Sequence, residues 1–379
     1  MSAPDTAIGT SHLDGVTPRE GSSIASSLPA SELVDWLRQM MLIREFEVRT
    51  MQAYQNRKIG GFCHVYIGQE AVAVGSLACL RPEDPVITAY RDHGHALARG
   101  MAAKYCMAEM YGKIGGCAKG KGGSMHMFDR DNNLFGGHGI VGAQTPLGAG
   151  LAFGTKYIDE VIDGGKSSRV TLCFLGDGAL NQGALHEAKN LAGLLDLPVI
   201  FVVENNGYSM GTSIQRGTTM AHEICEKARG YGMQALEIDG MDVFSVYDGM
   251  KPLIDDVRES SRPAFVDIRT YRFKGHSMSD PRKYRTRDEE QVYEAGDPIG
   301  KLRDFLFAQG HINDDSFSAL GKEIKKEVRE AVKWAEDSPA PEVAQELYHD
   351  VYVSEFGPYT GTSLPEMCKP QNVKKKGNE

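Results

Sequence analysis

The sequence predicts an α/β fold in which helices cover both faces of a parallel sheet, and residues 170–206 carry most of that prediction. Residues 170–175 and 198–203 are apolar runs of the length expected for buried strands. A strand–helix–strand unit crosses over right-handedly, which makes its two strands parallel. Both strands then end at the same edge of the sheet, where open α/β folds bind ligands. Apolar residues recur at helical spacing between the runs: Leu185, Ala188, Leu191, Ala192 and Leu195.

Periodicity and turn residues predict further elements on either side of this unit. A long first helix is expected to begin at Ser31 as its N-cap. This helix carries an apolar stripe that faces the core: Leu33, Trp36, Leu37, Met40, Ile43 and Phe46. Strands are predicted over residues 85–89, 234–238 and 264–269, and helices over 71–80, 146–157, 245–260, 302–307 and 317–334.

Length and composition exclude several classes of protein. At 379 residues and 41% hydrophobic content, the chain can bury one large core or two. The net charge of −9, without a basic stripe in the central region, argues against nucleic acid as a partner. No stretch of 18 apolar residues predicts a membrane span. The seven cysteines are scattered without CxxC spacing, which favours a reducing compartment over disulfides or structural zinc.

The two ends of the chain differ in composition from its centre. Residues 1–29 are rich in Ser, Ala, Thr and Gly and contain more acidic than basic residues, unlike a mitochondrial presequence. We expect a disordered tail there, in a bacterial cytoplasmic protein. The ligand-binding domain is expected over residues 30–336, and an arm and tail over residues 337–379.

Polar residues follow both strands of the central unit. Asp177 lies between Gly176 and Gly178 after the first strand, and Asn206 follows the second. A carboxylate and an amide oxygen suit Mg²⁺ that also binds phosphate oxygens and water. Gly178 lets the backbone approach a phosphate, and the next helix presents its N-terminus. Either motif alone is more often a plain turn, but together they predict a site for a diphosphate and Mg²⁺.

These motifs resemble a known family. The Gly-Asp-Gly segment followed by Asn206, 29 positions after Asp177, matches the thiamine diphosphate motif. Residues 205–213 (NNGYSMGTS) and 275–281 (GHSMSDP) resemble the alpha subunit of the decarboxylating component of pyruvate dehydrogenase. The resemblance runs from about residue 33 to residue 352. It implies a parallel-sheet thiamine diphosphate-binding fold, with thiamine diphosphate and Mg²⁺ as cofactors.

The resemblance also implies a reaction and partners. The reaction is oxidative decarboxylation of pyruvate, a small 2-oxo acid, with transfer of the acyl group to lipoamide. The implied partners are a beta subunit in an α₂β₂ assembly and the lipoyl domain of the dihydrolipoyl acyltransferase core. The beta subunit is expected to supply the glutamate that activates the cofactor, so Glu70 of this chain is expected to be structural or to line a channel.

Single residues receive roles from the same resemblance. His276 and His64 are the implied catalytic residues, at the diphosphate and in the substrate pocket. Mg²⁺ is expected to bind Asp177, Asn206 and the backbone carbonyl of Tyr208. His138 stands where the family has asparagine, so its role is left open. The other implied cofactor contacts are Tyr90, Arg91, Gly178, Ala179 and His276 at the diphosphate or substrate, and Gly139 and Val141 at the aminopyrimidine ring.

Residues 269–287 form the most charged loop of the chain. We expect it to guide an acidic lipoyl-bearing partner and an anionic substrate. We also expect it to be mobile until an anion arrives, because its like charges lack internal neutralisation. Ser277 corresponds to a serine that is phosphorylated in eukaryotic members, but the segment after Pro281 is shorter here, so that regulation is not implied. The loop contains seven cations: Arg269, Arg272, Lys274, Arg282, Lys283, Arg285 and Arg287.

Other functions are weaker alternatives. The glycine-rich residues 115–124 depart from a P-loop at Gly122, and His186-Glu187 begins HExxN where a zinc peptidase has HExxH. Within the same chemistry, an acetoin dehydrogenase and a branched-chain 2-oxo acid dehydrogenase remain open. From another class, the chain could be an inactive scaffold that binds thiamine diphosphate only to hold an assembly together.

Overall fold

The computed structural model describes residues 23–347 and 349–350. Its strands are β1 (Val86–Ala89), β2 (Leu134–His138), β3 (Thr171–Gly176), β4 (Val199–Asn205), β5 (Tyr208–Ser209), β6 (Thr212–Ser213), β7 (Gln234–Asp239) and β8 (Ala264–Arg269). Its helices are α1 (Ala30–Gln55), α2 (Glu70–Leu77), α3 (His93–Ala98), α4 (Ala103–Met110), α5 (Gln144–Tyr157), α6 (Gly183–Leu194), α7 (Ile214–Gly217), α8 (Glu226–Arg229), α9 (Val243–Ser260), α10 (Arg287–Ala295), α11 (Pro298–Ala308), α12 (Asp314–Asp337) and α13 (Val343–Glu346).

Six strands form one parallel sheet in the order β2-β1-β3-β4-β8-β7, and β5 and β6 form a separate antiparallel hairpin. The helices cover both faces of the sheet because successive side chains of each strand point to opposite sides. Phe174 and Val202 pack in one apolar cluster with α1, α2 and α9. Leu175 and Phe201 pack in a second cluster with α5 and α6. The predicted α/β fold is therefore confirmed.

The structure differs from the sequence predictions at three places. Strand β2 was not predicted, because Gly136 and Gly137 interrupt the apolar pattern that marks a strand. The first helix begins at Ala30 after Pro29, so the prediction of Ser31 as its N-cap is wrong. Leu191 in α6 and Leu195 directly after it are about half exposed although their spacing placed them on the buried stripe.

The segment before α1 is held against the rest of the chain by a backbone hydrogen bond. Residues Ala25–Ser27 form a 3-10 turn, in which Ala25 is buried and donates its N–H to Asp248 Oδ1 at 2.8 Å. This backbone contact fastens the segment that precedes α1, and the expected start of the domain at residue 30 stays a prediction. Positions 1–22 of the tail expected over residues 1–29, and positions 348 and 351–379 of the expected arm, lie outside the described residues.

The chain divides into two compact units, residues 1–340 and 341–379. The first contains the sheet and helices α1 to α12, and the described part of the second contains α13. The six cysteines within the described residues are free thiols. No helix in the described part of the chain is long and apolar enough to span a membrane.

Candidate active site

The ends of β3 and β4 bring the two predicted motifs together. Gly176 pairs with Glu204 in the parallel register, so Asp177 and Asn206 follow these strands at the same carboxyl edge of the sheet. The 3-10 turn Asp177–Ala179 contacts both β4 and the β5 strand that carries Tyr208. Gly178 suits this position, since a Cβ here would lie 2.5 Å from Ser209 Oγ and that side chain would have to shift. The structure thus places all three predicted metal ligands at one edge.

Asp177 has the properties of an unsatisfied cation ligand. Its side chain is buried, with 4% of the residue exposed, and Oδ2 has no hydrogen-bond partner among the described residues. Burial raises the pKa of this carboxyl to about 6, and the positive charge of Arg272 opposes that rise. A buried polar atom without a partner is rare, because it loses the hydrogen bonds that water would supply. A bound cation would satisfy Oδ2 and favour the ionised carboxylate.

Gln69 orients the second predicted ligand. Asn206 Nδ2 donates to Gln69 Oε1 at 3.2 Å, and Asn206 Oδ1 accepts from the backbone N–H of Tyr208 at 3.3 Å. These two bonds fix which end of the amide is oxygen. Sequence analysis did not select Gln69. The available signal was its position directly before α2, at the start of a buried helix.

His64, Tyr90 and His276 form a cluster of rings beside this edge. The ring centroid of His64 lies 4.7 Å from the ring centroid of Tyr90 and 5.0 Å from that of His276. The ring centroids of Tyr90 and His276 lie 5.9 Å apart. His64 Nδ1 lies 2.8 Å from the carbonyl oxygen of His276, which can only accept, so Nδ1 carries the proton and Nε2 is the acceptor. Burial and the charge of Arg91 lower the pKa of His64 to about 4 and that of His276 to about 3. Both imidazoles are therefore neutral at pH 7.

Arg91 holds this cluster in place. The residue is 7% exposed, and its two terminal nitrogens donate to the carbonyl oxygens of Val65 and His276, each at 2.8 Å. Arg91 therefore joins the His64 segment to the His276 segment. These two bonds occupy the terminal nitrogens of Arg91, but carbonyl oxygens do not neutralise its positive charge. The predicted contact of Arg91 with a diphosphate stays a prediction.

Two further buried arginines were not selected from the sequence. Arg272 donates to the carbonyl of Lys274 at 3.0 Å and to the hydroxyl of Tyr284 at 3.1 Å. Burial, with repulsion from Arg91 and Arg285, lowers the pKa of Arg272 to about 9. The Arg285 guanidinium carbon lies 4.5–5.5 Å from the ring centroids of three tyrosines, and Nε and Nη2 lack a hydrogen-bond partner in the part of the chain that the structure describes. Three close guanidinium groups favour a multiply charged anion.

The expectation that the loop over 269–287 lacks neutralisation is wrong for several of its cations. Arg269 is buried against Glu237 and Asp267, and Arg282 pairs with Glu290 at 2.9 Å. Arg272 and Arg285 are also buried, but their mutual repulsion shows that burial does not neutralise these two. The sequence feature that indicates this burial is the alternation of arginine and tyrosine, because tyrosine rings shield guanidinium groups from water. Mobility of the loop without an anion stays a prediction.

The segment Gly139–Val141 follows β2 at the same edge. Ala89 pairs with His138, which places Gly139 beside Tyr90. Ile140 is 77% exposed, and Val141 is also exposed. The predicted contacts of Gly139 and Val141 with an aminopyrimidine ring stay predictions. His138 Nδ1 lies 3.3 Å from the carbonyl oxygen of Thr88, which gives its side chain a contact within the sheet.

Glu70 is structural. The residue is fully buried, accepts from Arg44 Nε at 2.5 Å and from the backbone N–H of Gly68 at 2.9 Å. Arg44 also donates to Asp297 at 2.9 Å, so this network ties α1, α2 and the start of α11 together. The Glu70 carboxylate therefore stabilises the packing of these helices.

Comparison with known proteins identifies the family of this chain. The dehydrogenase E1 component family matches residues 38–344. The chain is 44% identical over 322 residues to the pyruvate dehydrogenase E1 component subunit alpha of Rickettsia bellii, which covers 85% of this chain and 96% of that protein. It is 48% identical over 328 residues to the subunit alpha of Zymomonas mobilis (86% and 90% covered), and 43% identical over 337 residues to the mitochondrial subunit alpha-1 of Arabidopsis thaliana (88% and 83% covered). The chain therefore belongs to the dehydrogenase E1 component family.

Proposed function

We propose that this chain is the alpha subunit of a pyruvate dehydrogenase E1 component, which decarboxylates pyruvate on thiamine diphosphate and passes the acyl group to lipoamide. The observation that carries the proposal is the buried Asp177 carboxylate at the sheet edge that Asn206 also follows, with the charge of Arg272 acting on this carboxylate and on the neutral His64 and His276. The names of the relatives support the choice of pyruvate, since each is a pyruvate dehydrogenase E1 component subunit alpha.

The residues present fit a diphosphate with Mg²⁺. Oδ2 of Asp177 is an orphaned buried oxygen, and Gly178 keeps open a space that a Cβ would fill. We assign Mg²⁺ to Asp177, Asn206 and the Tyr208 carbonyl. The diphosphate or substrate is assigned to Tyr90, Arg91, Gly178, Ala179 and His276, with the charges of Arg272 and Arg285 nearby. When bound, thiamine diphosphate supplies the carbanion stabilisation that loss of carbon dioxide from a 2-oxo acid needs.

The histidines supply proton transfer and orientation. Because His64 Nδ1 donates to the His276 carbonyl, its Nε2 can accept a proton or a hydrogen bond from a substrate group. His276 is likewise neutral and shares the ring cluster with Tyr90. Arg91 keeps the two histidine segments at a fixed separation. Gly139 and Val141 are assigned to the aminopyrimidine ring.

The chain is proposed to work with a beta subunit in an α₂β₂ assembly and with a lipoyl domain. The outer face of α5 supports a subunit partner. Leu147, Phe153 and Tyr157 are each 49% exposed there, and a Cβ added at Gly150 or Gly154 would meet no atom within 4 Å. Exposed apolar side chains beside open glycines suit the close approach of another chain. The cytoplasmic location inferred from the first 29 residues stays a prediction.

The test of this function compares substrates in the assembled protein. The chain is produced together with the beta chain of its own organism, and reduction of an artificial electron acceptor is measured with pyruvate, acetoin and 3-methyl-2-oxobutanoate. We expect kcat/KM for pyruvate to exceed the others by about tenfold or more, the discrimination that a pocket makes against extra methylene groups. A preference for acetoin or the branched acid would contradict the pyruvate assignment, and cofactor binding without turnover would favour the inactive scaffold.

Replacing His276 with alanine is expected to reduce acyl transfer to lipoamide by about 100-fold, the usual contribution of a general acid–base group. Affinity for thiamine diphosphate should change far less, since the cation site at Asp177 is untouched. His311→Ala is the control, because His311 is exposed in the turn between α11 and α12. Transfer to a lipoyl domain and calorimetric titration of the cofactor measure the two effects. If His276→Ala transferred the acyl group at the wild-type rate, His276 would be an ordinary loop residue without a catalytic role.

A further inference from the structure

Three buried side chains lie behind the His64 segment. Glu47 of α1, His93 at the start of α3 and Ser124 after the glycine-rich segment are 0%, 0% and 2% exposed. His93 Nδ1 lies 2.9 Å from Glu47 Oε1, and His93 Nε2 lies 2.9 Å from both the hydroxyl and the carbonyl oxygen of Ser124. The three side chains therefore form one continuous chain of hydrogen bonds.

The contacts of His93 favour its cationic form. A carboxylate and a carbonyl oxygen only accept, so the ring nitrogen facing each of them carries a proton. Both nitrogens of His93 face such an acceptor. The attraction of Glu47 and Asp92 outweighs burial and raises the pKa of His93. An imidazolium and a carboxylate thus lie paired in the interior, close to the ring cluster of the active site.

This pair fastens the His64 segment by two routes. Glu47 Oε1 accepts the backbone N–H of Tyr66 directly, at 2.6 Å. Ser124 Oγ accepts the backbone N–H of His64 at 3.2 Å, and His93 holds that hydroxyl from the other side. The two anchored amides flank Val65, whose carbonyl receives Arg91. The backbone on both sides of that contact is therefore tied to one carboxylate.

A second buried glutamate fixes the loop that delivers Ser124. Glu109 of α4 is fully buried, and its two oxygens accept the backbone N–H groups of Ala118, Gly120, Gly122 and Gly123 at 2.7–3.2 Å. Four donors converging on one carboxylate order a glycine-rich segment that would otherwise be flexible. Ser124 follows directly, so its hydroxyl enters the chain of hydrogen bonds at a fixed point.

We propose that Glu47, His93 and Ser124 are positioning residues that hold His64 in the geometry its reaction needs. This inference rests on the proposed function, because it concerns a residue assigned to that site. The order of serine, histidine and acid also occurs in serine hydrolases. Here Ser124 is 2% exposed, and Nε2 of the cationic His93 has no lone pair to take the hydroxyl proton. The arrangement therefore suits positioning and does not suit hydrolysis by this serine.

Removing the hydroxyl tests the positioning role with little disturbance of the fold. Ser124→Ala is expected to lower kcat for pyruvate about tenfold in the complex with the beta chain, with affinity for thiamine diphosphate and Mg²⁺ within threefold of wild type, because a small misplacement of a reacting group costs rate. Ser124→Thr keeps a hydroxyl and should restore most of the rate. Ser76→Ala is the matched control: Ser76 is fully buried in α2, and its hydroxyl has no hydrogen-bond partner within the described residues.

A pH profile separates positioning from a general loss of stability. Glu47, Asp92 and His64 are the titratable groups that interact with His93. In Glu47→Gln the attraction that raises the pKa of His93 is lost, so His93 should lose its proton as pH rises and with it the bond to the Ser124 carbonyl. The ratio of wild-type to variant kcat should therefore be several-fold larger at pH 8 than at pH 6. A structural defect alone gives a ratio that does not change with pH.

The outcomes are distinguishable. A wild-type complex that turns over no 2-oxo acid would overturn the proposed function and leave the positioning role without a reaction. An active wild type, with Ser124→Ala equal to Ser76→Ala in kcat, would overturn the positioning role alone. If Glu47→Gln fails to fold, Ser124→Ala and Ser124→Thr still decide the question.

Discussion

Asp177→Asn is expected to weaken Mg²⁺-dependent binding of thiamine diphosphate by about 100-fold or more, the largest effect of a single substitution in this chain. The change keeps the shape of the side chain but removes its negative charge, and a hard divalent cation depends on charged oxygen ligands. Oδ2 of Asp177 has no other partner among the described residues, so nothing replaces it. Calorimetric titration of the cofactor with and without Mg²⁺ measures the loss.

The same substitution should stabilise the cofactor-free protein at neutral pH. Folding raises the pKa of Asp177 from 3.8 to about 6, so its ionisation disfavours the folded state. Relative to Asp177→Asn, the wild type should lose stability as pH rises from about 4 to about 6, with little further change above that range. At 1.36 kcal/mol per pKa unit the difference is about 3 kcal/mol. Thermal unfolding at pH 4 and pH 7.5 measures it.

A matched control distinguishes the cation site from any acidic strand end. Asp239 closes β7, two strands away from β4, and its side chain accepts the backbone N–H of Met241 at 2.8 Å. Burial also raises the pKa of Asp239, so Asp239→Asn changes stability in the same direction. It should leave cofactor affinity unchanged. Wild-type affinity in Asp177→Asn, or equal losses in the two variants, would contradict the metal assignment.

The site could be predicted from sequence where topology alone brings residues together. Asp177 and Asn206 meet because they follow strands of one right-handed unit, and the register of β3 with β4 confirms that step. Strand β2 could not be predicted from its pattern, because Gly136 and Gly137 have no side chains to mark a buried face. Gly139 lies at the edge of the sheet because it follows β2. Since β2 was not predicted, only the family resemblance indicated that Gly139 belongs to the site.

Contacts between distant segments explain what sequence analysis missed. Glu47 sits in a long amphipathic helix, where a glutamate is usually solvated, and only its meeting with His93 from α3 makes it a buried anion. Arg285 resembles any cation of a basic loop until Tyr208 and Tyr271 enclose it. Neither partner lies at a spacing that periodicity detects. Buried charges of this kind depend on tertiary packing, and they surround the predicted ligands.

The chain purified without a beta subunit is expected to release no carbon dioxide above background from pyruvate. The family resemblance places the glutamate that activates thiamine diphosphate in the other subunit. After β8, the described residues of this chain form helices and loops and no second sheet. Beside Gly139, Ile140 is 77% exposed, so the edge that would face the cofactor ring is open on this side. Addition of the beta chain to the same assay, with an artificial electron acceptor, should restore turnover.

We expect the isolated chain to be inactive because it lacks its partner and not because it fails to fold. The apolar face of α5 provides the test. Phe153→Glu places a charge among exposed apolar side chains next to the open Gly150 and Gly154, and burying that charge against a partner is unfavourable. Val292→Glu on α10 is the control, since Val292 is 66% exposed outside this face. Sedimentation with the beta chain should show loss of the tetramer, and of turnover, for Phe153→Glu alone. Robust turnover by the isolated wild-type chain would exclude the two-chain site, because every catalytic group would then belong to this subunit.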